Sequence, residues 1–149
     1  MTKEEILAME AGKELDTLVA EKVMGHPMPA FIPEEALGLY LAGSPIHYDS
    51  WTCVCHYDEG DVPKWLPDPY STDISAAWQV VDKICNWDVD DNMLVLKGQA
   101  PDPTEPVGGE NEGWWEARIN GIRGNVAAEG KIAPEAICKV ALLAKAIGK

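Results

Sequence analysis

Positive charge is what this sequence has least of. Twelve Lys and Arg stand against twenty-five Asp and Glu, a formal net charge of −13, and the only arginines are Arg118 and Arg123. Nucleic-acid binders carry a basic footprint, so direct DNA or RNA binding is excluded as an expectation. Any anionic ligand needs local positive charge to overcome a repulsive global field. No apolar run approaches the ~20 residues that span a bilayer. The start, Met1-Thr2-Lys3-Glu4-Glu5, has neither the basic region nor the apolar stretch of an export signal. The chain is therefore read as cytoplasmic, with no membrane partner.

Catalytic motifs are also missing. Gly108-Gly109 is not followed by the GK[ST] of a phosphate-binding loop, and no G-x-S-x-G elbow occurs. His26 and His47 lie in Pro-flanked or aromatic segments without an evident nucleophile, and no spacing singles out a pair of carboxylates. The expectation is a protein that is not an enzyme and uses no cofactor. Four cysteines are present: Cys53, Cys55, Cys85 and Cys138. Cys53, Cys55 and His56 suggest zinc only weakly, because tetrahedral sites use wider spacing and a strand would put His56 on the opposite face. Buried free thiols and no metal site are the preferred reading.

What is present suits one domain over residues 1–149. The chain is 46% apolar and long enough to bury a core without staples. Thr2 with Glu5 forms a capping-box signal, and Leu7, Ala11, Leu15 and Leu18 recur at helical spacing, which predicts one helix from Lys3 to Met24 with Gly12 inside it and Gly25 as its stop. His26 to Pro33 is a connector, and Glu34 to Tyr40 is either a short helix or the lead into a strand. Ile46 to Tyr57 supplies one or two strands. Asp58 to Pro69, with prolines at 63, 67 and 69, reads as loop.

Ile74, Ala77, Trp78, Val81 and Cys85 form an apolar helical stripe, capped by Ser71, Thr72 or Asp73, with Trp78 expected in the core. Met93-Leu94-Val95-Leu96 reads as a buried strand, and Gln99 to Gly113 as a surface loop. A final helix runs from Pro134 to about Ile147. It is so apolar that most of its circumference should be covered, which also suits an oligomer interface.

Chemistry concentrates in Trp114 to Ala128. Ile119-Asn120-Gly121-Ile122 signals a two-residue hairpin, because Asn-Gly tolerates the positive φ of a type I′ turn. That turn sets Ile119 opposite Ile122 and Arg118 opposite Arg123. Alternation then places Trp115, Ala117, Ile119, Ile122, Gly124 and Val126 on a core face, and Trp114, Glu116, Arg118, Asn120, Arg123 and Asn125 on a polar one. Two arginines directly opposite each other repel unless an anion lies between them, and guanidinium suits bidentate phosphate contact. Trp114 can stack a base, while Glu116 and Asn125 can read its polar edges or a ribose. Against this, the arginines can be plain surface charge, one neutralised by Glu116, and the tryptophan can pack under a loop or at an interface.

Three stretches carry a family resemblance: Thr2 to Asp16 (TKEEILAMEAGKELD) with Val19 to Gly25, Tyr70 to Trp78 (YSTDISAAW), and Ala133 to Leu143 (APEAICKVALL). They span about half of the chain and resemble the phage ABA sandwich domain family, which includes the Thoeris anti-defence sponges of the first described type. The resemblance implies an α/β (α+β) sandwich, an antiparallel sheet with helices packed on it and a C-terminal β-hairpin followed by a helix. It implies a phage protein in the bacterial host cytoplasm that sequesters a host immune signal without cleaving it. The implied ligand is a cyclic ADP-ribose isomer, with cyclic oligonucleotides held by some relatives. Homo-oligomers, dimers or hexamers, are implied too.

By the same resemblance, the ligand-contacting aromatic and asparagine of the family map onto Trp114 or Trp115 and onto Asn125, and Tyr70, Thr72 and Asp73 match a family motif that helix capping explains equally well. The segments 58–68 and 101–113 look longer than in compact relatives, which affects the pocket mouth. The competing reading is an acidic interaction protein, of the DNA-mimic kind, that inhibits a host defence enzyme. A nucleotide-cleaving enzyme needs a metal site that the sequence does not display.

Overall fold

Thr2 opens the first helix, α1 (Lys3–Ala8), through the expected capping box. Its hydroxyl accepts from the Glu5 N–H at 3.2 Å, and the Glu5 carboxylate accepts from the Thr2 N–H at 2.8 Å. The computed structural model describes residues 2–41, 45–55, 63–85, 93–99, 114–121 and 124–147.

The single helix expected from Lys3 to Met24 is broken in two. α2 (Lys13–Leu18) starts afresh and continues as a π-helical turn over Val19–Val23. α1 already ends at Met9, whose backbone is extended, and Gly12 opens the second helix: its φ of 149° is a conformation that side-chain-bearing residues rarely adopt. The glycine is thus the start of a second helix rather than a weak point inside one. A distant residue holds it there. The Gly12 N–H donates to Ser71 Oγ at 2.8 Å, Ser71 Oγ donates to the Gly12 carbonyl at 3.3 Å, and the Ser71 N–H donates to Asp16 Oδ1 at 2.7 Å. Asp16 and Ser71 are both buried.

The first sheet has the order β1-β2-β3, all antiparallel: β1 (Ile46–Tyr48), β2 (Trp51–Cys55) and β3 (Pro63–Pro67). β3 occupies a stretch expected to be loop. Its prolines stand at the two ends of an edge strand, where a missing N–H interrupts no ladder. Trp51, Cys53 and Trp65 turn one face of the sheet into the core, and Trp51 Nε1–H donates to the His26 carbonyl at 3.0 Å. Between the π turn and this sheet lies α3 (Glu34–Leu41), the helical alternative for that segment.

Asp73 caps α4 (Ile74–Cys85), its Oδ1 accepting from the Ser75 N–H at 2.9 Å. The buried stripe is rotated from the expected one. Ala76, Ala77, Val80, Val81 and Ile84 face inward, whereas Trp78 is 52% exposed and Ile74 and Cys85 are exposed. α4 packs against the final helix, α5 (Ala133–Ile147). Alanines at 76 and 77 permit the close helix approach that an indole at 78 would prevent.

The second sheet has the order β4-β5-β6: β4 (Met93–Gln99), β5 (Trp114–Gly121) and β6 (Gly124–Gly130). α5 packs along β5 and β6 and also touches α1, α2, the π turn and α4. Every residue from Ala133 to Leu143 is buried. Its apolar surface is therefore covered by this chain's own elements and calls for no second copy. Lys139 is the exception in polarity, and it is satisfied: Nζ donates to Glu135 Oε1 at 2.9 Å and to the Leu7 carbonyl, at the end of α1, at 3.1 Å. β4, read as a buried strand, is an edge strand that alternates. Leu94 and Leu96 pack toward the core while Val95 is exposed.

The hairpin register differs from the expected one. Gly121 pairs with Gly124, Asn120 with Asn125, Ile119 with Val126 and Arg118 with Ala127, so Arg118 does not face Arg123. The partner strand has slid by four positions. An even slide leaves the paired residues on their expected faces, and Ala117, Ile119 and Ala128 are indeed buried. Trp115 supplies the reason. In the observed register its neighbours are Gly98 on β4 and Gly130 on β6, whereas the expected register sets Val126 beside it. A Cβ built at Gly98 would fall within the Trp115 ring, and one at Gly130 would come within 2.9 Å of the Ala136 backbone nitrogen on α5.

Gly98→Ala should therefore cost about 1–3 kcal/mol, the usual range for overpacking, read from chemical denaturation with Trp115 fluorescence as one probe. A second expectation concerns Asp16, whose burial raises its pKa above the ordinary 3.8 despite the Ser71 bonds. A raised carboxyl pKa favours the folded state when protonated, so this group's contribution is full below the unfolded value and lost as pH rises through the folded one. Asp16→Asn keeps an acceptor for Ser71 and should flatten that pH dependence. Asp16→Ala leaves a buried N–H unpaired and should cost about 1–3 kcal/mol at all pH.

Candidate functional site

α5 covers one face of the second sheet, and the residues of the other face point away from it. That outer face is laid out in cross-strand rows. Gln99 pairs with Trp114; Lys97 with Glu116, which pairs with Glu129; Val95 with Arg118, which pairs with Ala127; Met93 with Asn120, which pairs with Asn125. Trp114 is 38% exposed, and the Lys97 ammonium lies 6.0 Å from its ring centroid. Arg118 Nη2 lies 3.4 Å from Glu116 Oε1, with the arginine side chain 50% exposed.

Of the residues singled out from sequence, the fold thus brings Trp114, Glu116, Arg118 and Asn125 onto one open face. Trp115 is on the opposite face, packed against the core between its two glycines. Alternation, unbroken through β5, separates the two tryptophans and puts Trp114 outward. Arg123 falls between Gly121 and Gly124, outside the described residues, as do the segments 56–62 and 100–113 that include most of the two long loops.

The remaining three lie elsewhere. Tyr70 is fully buried, with Ser50 beside its hydroxyl. Burial first, and then the nearby Asp68, Cys138 and Asp16, push its pKa up to about 12. A neutral phenol beside Cys138 of α5 is on the helix side of the sheet, not on its outer face. Thr72 and Asp73 are exposed at the start of α4, where Asp73 serves as the cap. Within one protomer, the Tyr70-Ser71-Thr72-Asp73 motif therefore does not join the strand residues.

Lys97, Glu129 and Asn120 are the outer-face residues that the sequence reading did not single out as site residues. Alternation already set Asn120 on this face; only the strand register reveals Lys97 and Glu129, since nothing near them in sequence marks which strand they adjoin. Lys97 and Arg118 flank Glu116 on two sides, and Glu129 is directly opposite it on a third. Such an array can meet phosphate with a guanidinium, a planar ring with Trp114, and hydrogen-bond donors or acceptors with the two asparagines and the carboxylates.

The thiols are structural where buried. Cys53 and Cys138 are buried and unbridged, and burial, with Asp16 and Glu135 adding to it, holds the Cys138 thiol well above its ordinary pKa. Among the described residues no group of three or more His, Cys, Asp or Glu could hold a metal ion. His56 and the Cys55 side chain, two members of the weak zinc candidate, lie outside what is described. Also among the described residues, no helix is long and apolar enough to cross a membrane. A surface groove between α1 and α2, about 590 Å³ in volume, is lined by Glu5, Glu10 and Glu14 with a single Lys13, a poor setting for an anion.

No curated protein matches the chain. A phage protein from Bacillus cereus ATCC 14579, with a crystal structure at 2.0 Å, is similar at 23% identity over 93% of this chain and 89% of that one, with a TM-score of 0.45. A family model described as the Phage ABA sandwich domain matches residues 17–142, most of the 149-residue chain. The two three-stranded sheets around a helical layer, ending in strand, strand and helix, are accordingly the architecture of a member: the chain belongs to the Phage ABA sandwich domain family.

Proposed function

We propose that this protein is a phage anti-defence sponge. It binds a cyclic nucleotide immune signal, a cyclic ADP-ribose isomer or a cyclic oligonucleotide, and sequesters it in the host cytoplasm without cleaving it. The observation that carries the reading is the outer face of the second sheet. On one surface of an otherwise acidic protein, opposite the face that α5 covers, it gathers an exposed tryptophan, a half-exposed arginine and two asparagines facing each other across strands. Family membership supports the same reading through the resemblance of its three motif stretches to the Thoeris sponges. Arg123, the other arginine of the chain, stands two residues before Asn125 in sequence. A homo-oligomer, dimer or hexamer, is part of this proposal, because Thr72 and Asp73, exposed at the start of α4, reach a ligand on this face only if a second copy presents them, with the buried Tyr70 holding that corner of the fold.

The test is retention and release. Protein is incubated with a cyclic ADP-ribose isomer or with extract from cells in which the defence is active, freed of unbound material and denatured, and the released molecule is identified by mass spectrometry. Stoichiometric intact nucleotide is expected; linear or cleaved product would make the protein an enzyme. If neither is retained but a salt-sensitive protein partner is captured, the acidic inhibitor reading replaces this one. Arg118→Ala should weaken binding about 10–100-fold, the size of a charge-assisted contact worth about 1.5–3 kcal/mol. Trp114→Ala should weaken it comparably, because base stacking is worth about 1–3 kcal/mol. Trp78→Ala, on the exposed side of α4, should leave it unchanged.

A further inference from the structure

Glu116 and Glu129 are direct cross-strand partners on the outer face, in a protein with no need of one more clash between carboxylates. Opposed side chains have Cβ atoms about 4.5–5.5 Å apart, and like charges so placed repel. In the free protein Arg118 relieves part of this by holding Glu116 at 3.4 Å. Lys97, the partner of Glu116 on β4, has its ammonium over the Trp114 ring. An anion that recruits Arg118 therefore takes from Glu116 the cation that offsets Glu129.

Ionised carboxylates only accept hydrogen bonds. The group that restores balance is thus a donor carried by the ligand, placed next to its phosphates: a ribose diol or the exocyclic amine of a base. We propose that Glu116 and Glu129 form a selectivity pair that makes the site favour phosphate-bearing nucleosides over bare polyphosphates. The proposal rests on the outer face being the ligand site. It extends that reading from residues that attract the ligand to residues that reject its simpler competitors. Inorganic pyrophosphate, abundant in any cell that is copying nucleic acid, offers Arg118 the same charge and offers the carboxylates nothing. The pair would keep the site from filling with it.

The test is calorimetric titration of wild type, Glu129→Gln and Glu116→Gln with two probes, ADP-ribose and inorganic pyrophosphate, in chelator-containing buffer so that no divalent cation stands in for the missing donor. Wild type is expected to prefer ADP-ribose. Each glutamine variant should reduce that preference by about threefold or more, chiefly through tighter pyrophosphate binding, because exposed charge pairs are worth up to about fivefold each. Independently of any ligand, Glu129→Gln should raise the unfolding midpoint at low salt, with the gain shrinking at high salt. If wild type binds and Arg118→Ala abolishes binding, but neither glutamine variant moves the preference, the selectivity pair is overturned and the site stands. If wild type binds neither probe nor a cyclic ADP-ribose isomer, the site itself is overturned and the pair with it. An unfolding midpoint of Glu129→Gln that does not rise at low salt overturns the repulsion on which the pair depends.

Discussion

Trp115 sits between two glycines, and the second sheet is arranged around that fit. Its indole lies against Gly98 on one neighbouring strand, and its register partner on the other, Gly130, passes close under α5, a helix that is buried over its first eleven residues. Close packing leaves no room for a side chain at position 98 or 130. Once Gly98 must meet the ring and Gly130 must pass under α5, the pairing of β4 and β6 with β5 is determined along their whole length. That pairing in turn decides which residues share a row on the far face. Arg118 meets Ala127 rather than Arg123, Lys97 meets Glu116, and Glu116 meets Glu129. The candidate site is in this sense a by-product of how the core accommodates one large ring.

The three stretches that carry the family resemblance do a different job. They are bound to one another rather than to the outer face. Ser71 of the second stretch holds Gly12 and Asp16 of the first, and Lys139 of the third caps the Leu7 carbonyl of the first. Tyr70 is enclosed near Asp16 and Cys138. These are buried polar contacts, and leaving any of their partners unmatched is costly. The stretches that carry the resemblance are thus the ones that join the helices, while the residues with ligand chemistry lie on strands between the second and third. Resemblance in the first kind of residue reports the fold; the chemistry has to be argued from the second.

Electrostatically the outer face is mixed, not basic. Lys97 and Arg118 are matched by Glu116 and Glu129 among the described residues. A surface of that kind does not compete through bulk attraction against a net charge of −13. It works by placing each charge opposite a complementary group of the ligand, which is the basis of specificity more than of raw affinity. Its stacking ring and paired asparagines add contacts that salt does not screen.

Several local features were legible in the sequence because local chemistry settles them. The Thr2–Glu5 capping box, the stop at Gly25, two strands within 46–57, the hairpin followed by an apolar helix, and the sorting of Trp114 to Asn120 into two faces all follow from spacing and side-chain type. The antiparallel sheets with packed helices are what the family resemblance implied, and they are there. What the sequence could not decide were the choices between locally equivalent options. Gly12 is a tolerable flaw or a helix start depending on whether Ser71 is there to receive it. The stripe of α4 rotates away from Trp78 because α5 needs alanines at the contact. Pro63 and Pro67 permit a strand only because that strand is an edge. The Asn-Gly pair at 120–121 is the stronger local turn signal, yet it yields its place because slipping the register by an even number of residues preserves every face, and only then does Trp115 find glycine on both sides. Local energies fix periodicity and caps; rotation, register and strand neighbours are decided by volume and burial between segments far apart in the chain, which only the tertiary structure brings together.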